Sequence, residues 1–360
     1  MFRTVIKNTS CSRQFVRQSS ALMNGARHSQ LRSMASGIKD RERALEEAAA
    51  RKHDAKLLAD LAEKLKIQKG EKAQDSGKSI SVVGAGLMGS GIAQVAAQQG
   101  FNVTLIDVNA SSLGDAKKRI GDSIGRVAKK KFANDNNGAS KWKDEVVSRI
   151  STTDDVSEGV KNANFVIEAI VENLKTKWEL FSQVEKAAPS DAIFASNTSS
   201  LKIDDIASSS GDPSRIGGMH FFNPVPVMKL VEIVSGQHTS AETTRALSNL
   251  GEQLGKTVVQ AKDTPGFIVN RLLVPYMAEA MRLLERGDAS LSDIDLAMKL
   301  GASHPMGPLE LADYVGLDTC KFIMDGWSEA YPNELLFKTP DILNTLVNAG
   351  HLGNKSGSGF

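Results

Sequence analysis

The stretch SVVGAGLMGSGIAQVAAQQG, residues 81–100, leaves this chain few ways to fold. Gly84, Gly86 and Gly89 stand in G-x-G-x-x-G spacing, directly after the apolar run ISVV and at the head of an alanine-rich helical pattern. Each glycine has its own reason: a tight turn out of the strand, room for a phosphate to approach the backbone, and close packing of helix on strand. The helix then offers unpaired N–H groups to an anion, with Leu87 and Met88 in the same turn. The next strand, NVTLID, ends at Asp107, 18 residues beyond Gly89. An acid there accepts bonds from both ribose hydroxyls of an adenosine and repels a 2′-phosphate, which favours NAD over NADP. The competing reading is a glycine turn in an α/β protein that binds nothing. It leaves the conjunction of strand, glycines, helix and acid without a reason.

Strand-like runs continue at FVIEAI (165–170), AIFA (192–195), GGMHF (217–221), VEIVS (231–235) and TVVQA (257–261), with helical segments between them and helix through about 150. This alternation predicts an α/β fold, a Rossmann-type doubly wound, mostly parallel sheet over 78–263. GGMHF reads as a strand ending at a sheet edge. After KDTP the apolar spacing is helical only. Thr264 and Pro265 read as a helix start, and Leu272, Tyr276, Met277, Ala280 and Leu284 as one stripe running to Gly287. Further helices near 290–300, 307–315, 318–330 and 340–349 make 264–360 an all-helical C-terminal domain. Two domains suit a chain of 360 residues that is 41% hydrophobic.

The net charge of +2 conceals an uneven distribution. Residues 1–39 hold seven Lys and Arg, no Asp or Glu, and many serines, the composition of a mitochondrial transit peptide, with a disordered basic tail as the alternative. Setting those seven aside leaves the remainder at −5, which argues against a nucleic-acid partner. Residues 40–77 read as a charged helical extension and linker, with no chemistry assigned. No apolar run reaches the roughly 18 residues of a membrane span. Cys11 and Cys320 lack the spacing of a metal cage, so no metal is expected.

Four motifs in fixed order, the glycine turn, SNTSSL (196–201), HFFNPVPVMKLVE (220–232) and KDTPGFIVNRLLVPYMAEA (262–280), give the chain a close resemblance to the L-3-hydroxyacyl-CoA dehydrogenase family, above all its single-function mitochondrial members of fatty-acid β-oxidation. The resemblance covers about 78–360 and leaves 40–72 outside it. Family chains usually continue past a Gly-Phe like Gly359-Phe360 with a further aromatic, so by that pattern this one is either a fragment or ends unusually early.

Oxidising a secondary alcohol requires a base for the hydroxyl proton, and histidine titrates near working pH. The resemblance implies that His220 is the base and that Glu232 orients it. A lone histidine beside a strand is more often a satisfied core residue, and His28, His53, His238, His304 and His351 are read that way. The resemblance further implies that Ser199 and Asn270 act on the substrate oxygen and the reacting carbon. It assigns cofactor contacts to Glu172, Lys177, Ser199, Asn223 and Lys355, and coenzyme A contacts to Ser123, Lys130 and Ser199. Without it, Glu172 and Lys177 would be a solvated helix start, Ser199 a cap, Asn270 a helix-surface amide and RVAKKKF a solvated face. The implied protein is a homodimeric, NAD-dependent 3-hydroxyacyl-CoA dehydrogenase of the mitochondrial matrix, with the helical domain in the dimer contact and closing the substrate cleft. Alternatives are a 3-hydroxybutyryl-CoA dehydrogenase, a crystallin-like enzyme of free hydroxy acids, or a non-catalytic NAD-binding relative.

Overall fold

The computed structural model describes residues 79–360, so the expectations for 1–78 lie outside the described residues. Eight strands form one sheet: β1 (Ser79–Val83), β2 (Asn102–Ile106), β3 (Ile150–Thr153), β4 (Phe165–Glu168), β5 (Ile193–Ser196), β6 (Ile216–Phe221), β7 (Leu230–Ser235) and β8 (Thr257–Lys262). Their order is β3-β2-β1-β4-β5-β6-β7-β8. The chain order reverses beside β1, between its neighbours β2 and β4. That is the crevice where open α/β sheets bind ligands, beyond the carboxyl ends of the strands.

The strands are apolar on both sides because helices cover both faces. From β1, Ile80 and Val82 join a core under α1 (Leu87–Gln98), α2 (Ala110–Lys131), α3 (Asn136–Ser148) and α7 (Ala241–Gln253). Val83 joins the opposite core, under α4 (Val156–Val160), α5 (Leu174–Ala187) and α6 (Ile203–Ala207). The period of two sorts side chains between these layers.

Three expectations need correction. β3 was not foreseen: it begins where the helix read through about 150 ends, and ISTT is a half-exposed edge strand with little apolar signal. β6 is interior, between β5 and β7, rather than at a sheet edge; β7 runs antiparallel to it in a sheet that is otherwise parallel, as expected. The connection 222–229 contains no helix and is shorter than the dozen or more residues a parallel crossover needs. The first helix of the C-terminal region starts at Val269, not Thr264: α8 spans Val269–Glu285. Gly266 and Phe267 take positive φ, +75° and +53°, and delay it. Its buried face is Val274, Met277, Ala278, Ala280 and Met281, while Leu272 is exposed. Helices α9 (Leu291–Gly301), α10 (Pro308–Val315), α11 (Leu317–Ala330) and α12 (Asp341–Asn348) complete the region around a third core.

Candidate active site

β1 feeds directly into the glycine turn. Gly84 has φ +106°, and a side chain there would meet the carbonyl oxygen of Ala169 at 2.4 Å, so conformation and space both demand glycine. A Cβ on Gly89 would lie 1.8 Å from the Gly84 oxygen. Gly86 differs, with φ −66° and nothing within 4 Å of an added carbon. The protein itself does not fill that gap, and it suits a pyrophosphate laid across the amino terminus of α1. Leu87 beside it is 63% exposed and Met88 is half-buried.

Asp107, just past β2, accepts from the Ala85 N–H at 2.8 Å and the Asn109 N–H at 2.9 Å, which fixes its carboxylate beside the turn. From α2, Arg119 donates to the Ala85 carbonyl at 2.7 Å and to Ser90 Oγ at 3.2 Å, bracing the same turn. Sequence reasoning missed Arg119; the available signal was an arginine four residues before Ser123, hence on one helix face with it. Arg119, Ser123 and Asn223 line a cavity of about 560 Å³ with Ser90, Gly91 and Val225. Lys130 lies exposed two turns along α2 from Ser123.

At the ends of β4 and β5 lies an ionic cluster. Lys177 is 1% exposed, its ammonium 2.6 Å from Glu168 and 3.1 Å from Glu172, so the reading of a solvated helix start fails. Glu168 also accepts from the Ile170 N–H at 2.8 Å and Ser196 Oγ at 2.6 Å. Glu172 accepts from the hydroxyls of Thr198 and Ser200 and, at 3.3 Å, from the N–H groups of Ser199 and Ser200. Burial pushes the Glu172 carboxyl up, but Lys177 and these hydroxyls outweigh it and hold it below the ordinary value. The loop carrying Ser199 is therefore shaped by Glu172, with Lys177 behind it. Glu168 was not foreseen, although an acid closing an otherwise apolar strand was the visible signal.

His220 and Glu232 are direct cross-strand partners on β6 and β7. Nδ1 of the imidazole lies 2.6 Å from Glu232 Oε2, with His220 5% and Glu232 0% exposed. The other carboxylate oxygen accepts from the N–H groups of Ile268 at 3.1 Å and Val269 at 2.9 Å, at the start of α8. Burial raises the Glu232 carboxyl, but the His220 bond, the Val269 N–H, the charge of His220 and the Ile268 N–H together hold it below the ordinary value. A carboxylate so held fixes the imidazole with Nδ1–H donating and leaves Nε2 as its acceptor nitrogen. Asn270 follows Val269 in the same turn, half-buried. Phe222 and Phe267 pack on the imidazole at 4.6 and 5.5 Å between centroids.

Lys355 pairs with Asp318 at the start of α11, within the helical part. Among the described histidines, His304 bonds Tyr276 and His351 bonds Ser358. Cys320 is buried, which pushes its thiol up to about 12 and makes it a poor nucleophile. Among the described residues no group of His, Cys, Asp and Glu could hold a metal ion, and no helix is long and apolar enough to cross a membrane.

Residues 79–264 match the model of the 3-hydroxyacyl-CoA dehydrogenase NAD binding domain, and 266–360 that of the 3-hydroxyacyl-CoA dehydrogenase C-terminal domain. A probable 3-hydroxyacyl-CoA dehydrogenase of Caenorhabditis elegans is 56% identical over 282 residues, 78% of this chain and 91% of the relative. The mitochondrial hydroxyacyl-coenzyme A dehydrogenase of Homo sapiens is 53% identical over 283 residues, 79% of this chain and 90% of the relative. The solved (S)-3-hydroxybutyryl-CoA dehydrogenase of Ralstonia eutropha superposes with a TM-score of 0.74 at 38% identity, covering 78% of this chain and 97% of its own.

Proposed function

Because the chain belongs to the 3-hydroxyacyl-CoA dehydrogenase family, an NAD-dependent oxidoreductase family, we propose that His220 is the base that takes the hydroxyl proton as (S)-3-hydroxyacyl-CoA is oxidised to 3-oxoacyl-CoA. The observation that carries this reading is the buried 2.6 Å contact from His220 Nδ1 to Glu232. It commits Nδ1–H to the carboxylate, so the substrate O–H proton passes to Nε2 and the resulting imidazolium is held against an ionised glutamate. NAD, when bound, accepts the hydride that leaves the same carbon. Gly84, Gly86, Leu87, Met88 and Gly89 hold its pyrophosphate, and Asp107 its adenosine ribose.

Ser199 and Asn270 donate to the substrate oxygen and stabilise charge developing there. Glu172, with Lys177 behind it, shapes the Ser199 loop at the cofactor, and Asn223 and Lys355 make further cofactor contacts. Ser123 and Lys130, on one face of α2, hold coenzyme A, whose phosphates suit an exposed ammonium. The domains are read as a transit peptide at 1–39, a charged extension at 40–77, a cofactor domain at 78–263 and a substrate and dimerisation domain at 264–360. Mitochondrial relatives and the acid-free composition of 1–39 support a mitochondrial enzyme, and the matrix is the compartment proposed for it. Exposed apolar residues on the helical part, including Leu272, Leu300, Tyr314, Phe322 and Leu335, support a homodimer formed through it.

The test is NADH formation from 3-hydroxyacyl-CoAs by wild type and by His220→Gln, with NAD and NADP compared. The expected result is turnover with NAD by wild type and essentially none by the variant. Folded wild type that forms no NADH from any acyl-CoA would remove the reading, and a fully active variant would remove the assigned base.

A further inference from the structure

Two of the three hydrophobic cores meet at the dipeptide Gly266-Phe267. A side chain on Gly266 would meet Trp327 of α11 at 2.5 Å, and Trp327 belongs to the helical core. The next residue faces the other way: Phe267 is 4% exposed and packs in the sheet core with Val83, Phe194 and Val234. Both residues hold a left-handed backbone, at φ +75° and +53°. Gly266 takes that conformation freely, whereas Phe267 is strained in it, so its surroundings have to hold it there.

Those surroundings include the reaction centre. The Phe267 ring stands edge-on to His220 at 5.5 Å, while Phe222 lies against the same imidazole at 4.6 Å. The two N–H groups that follow, of Ile268 and Val269, are the ones that hold Glu232. Four consecutive residues thus touch the helical core, the histidine and its glutamate. The hydrogen bond to Glu232 anchors one edge of the imidazole but leaves a rocking motion about that bond. Rings packed on the imidazole remove that motion and exclude water.

We propose that Phe267 is a positioning residue for the His220–Glu232 pair, setting the imidazole in register when the helical region is seated through Gly266 against Trp327. The proposal rests on the reading of His220 as the base.

Phe267→Gly in the full chain tests it, because glycine keeps the left-handed backbone without strain and removes only the ring. The expected result is a kcat roughly 10- to 100-fold lower, as misplacement of a reacting group produces. KM for NAD and for the acyl-CoA should stay within about two-fold, since the ring is not assigned to binding either. Phe267→Leu, which refills much of the volume, should recover part of the loss and carries the same test if the glycine variant does not fold. All rates are taken well below each variant's thermal midpoint and corrected for the folded fraction. A kcat within about two-fold of wild type while His220→Gln is inactive would overturn the proposal and leave Phe267 as packing alone. A loss appearing only in KM would overturn it too. Turnover retained by His220→Gln would remove the base itself, and this inference with it.

Discussion

The Glu168–Lys177–Glu172 cluster and the His220–Glu232 pair are both buried ionic groups near strand ends, yet they are built for different work. In the first, a permanent cation lies between two carboxylates, each satisfied by further hydroxyl and backbone donors. In the second, one carboxylate faces a single imidazole across one hydrogen bond, and two backbone N–H groups secure its other oxygen. Equal burial therefore does not mean equal role. A cation shared by two acids makes a scaffold, while an imidazole held by one carboxylate is the arrangement proposed for the base.

Substitutions can separate the two. Lys177→Met should have the largest effect on folding, about 3–5 kcal/mol in denaturant titration, because it strands buried carboxylates without their cation. Glu232→Gln should leave the fold largely intact and cost kcat about 100-fold or more in the NADH assay. A glutamine cannot accept from both His220 and α8 with its two terminal atoms. If its NH₂ faces Nδ1, the proton is forced onto Nε2, where the base is needed. Similar losses of stability in both variants, with activity surviving in Glu232→Gln, would erase the distinction. Glu172→Gln should cost about 1–2 kcal/mol of stability, the worth of weakened charged hydrogen bonds, and should raise the KM for NAD more than it lowers kcat.

The smallest expected effect is the pH dependence. Glu172 and Glu232 are held below their ordinary value of 4.5 in the folded protein, so the stability they add is present above that pH. It should fall away as pH drops through 4.5 toward their folded values. The denaturant midpoint should decline over that interval, and less steeply in Glu172→Gln.

Much of this was readable in the chain because it depends on local rules. The glycine turn, the apolar strands and the C-terminal helices follow from backbone sterics and periodicity. The direction of β7 was readable too, from the short connection after β6, had its length been weighed against a crossover. β3 was not, because an edge strand of serine and threonine has no apolar contrast. For the site, the His220–Glu232 pair could be named from its motif and set on neighbouring strands, but not its direct cross-strand register or that α8 shares the carboxylate. Arg119, Glu168 and Phe267 depend on which side chains meet across distant segments. The left-handed backbone at Phe267 contradicts its local preference, and only tertiary packing explains it.

Gly86 carries a consequence of another kind. Its backbone suits any L-residue and the protein around it leaves room, so alanine there should change stability little, the restriction of the unfolded state being offset by a poorer helix N-cap. If Gly86 cradles the pyrophosphate as proposed, an inherited change at this position would leave a folded chain that fails to engage its cofactor. Measurements of protein level would report it as harmless, and only a binding assay would identify the defect.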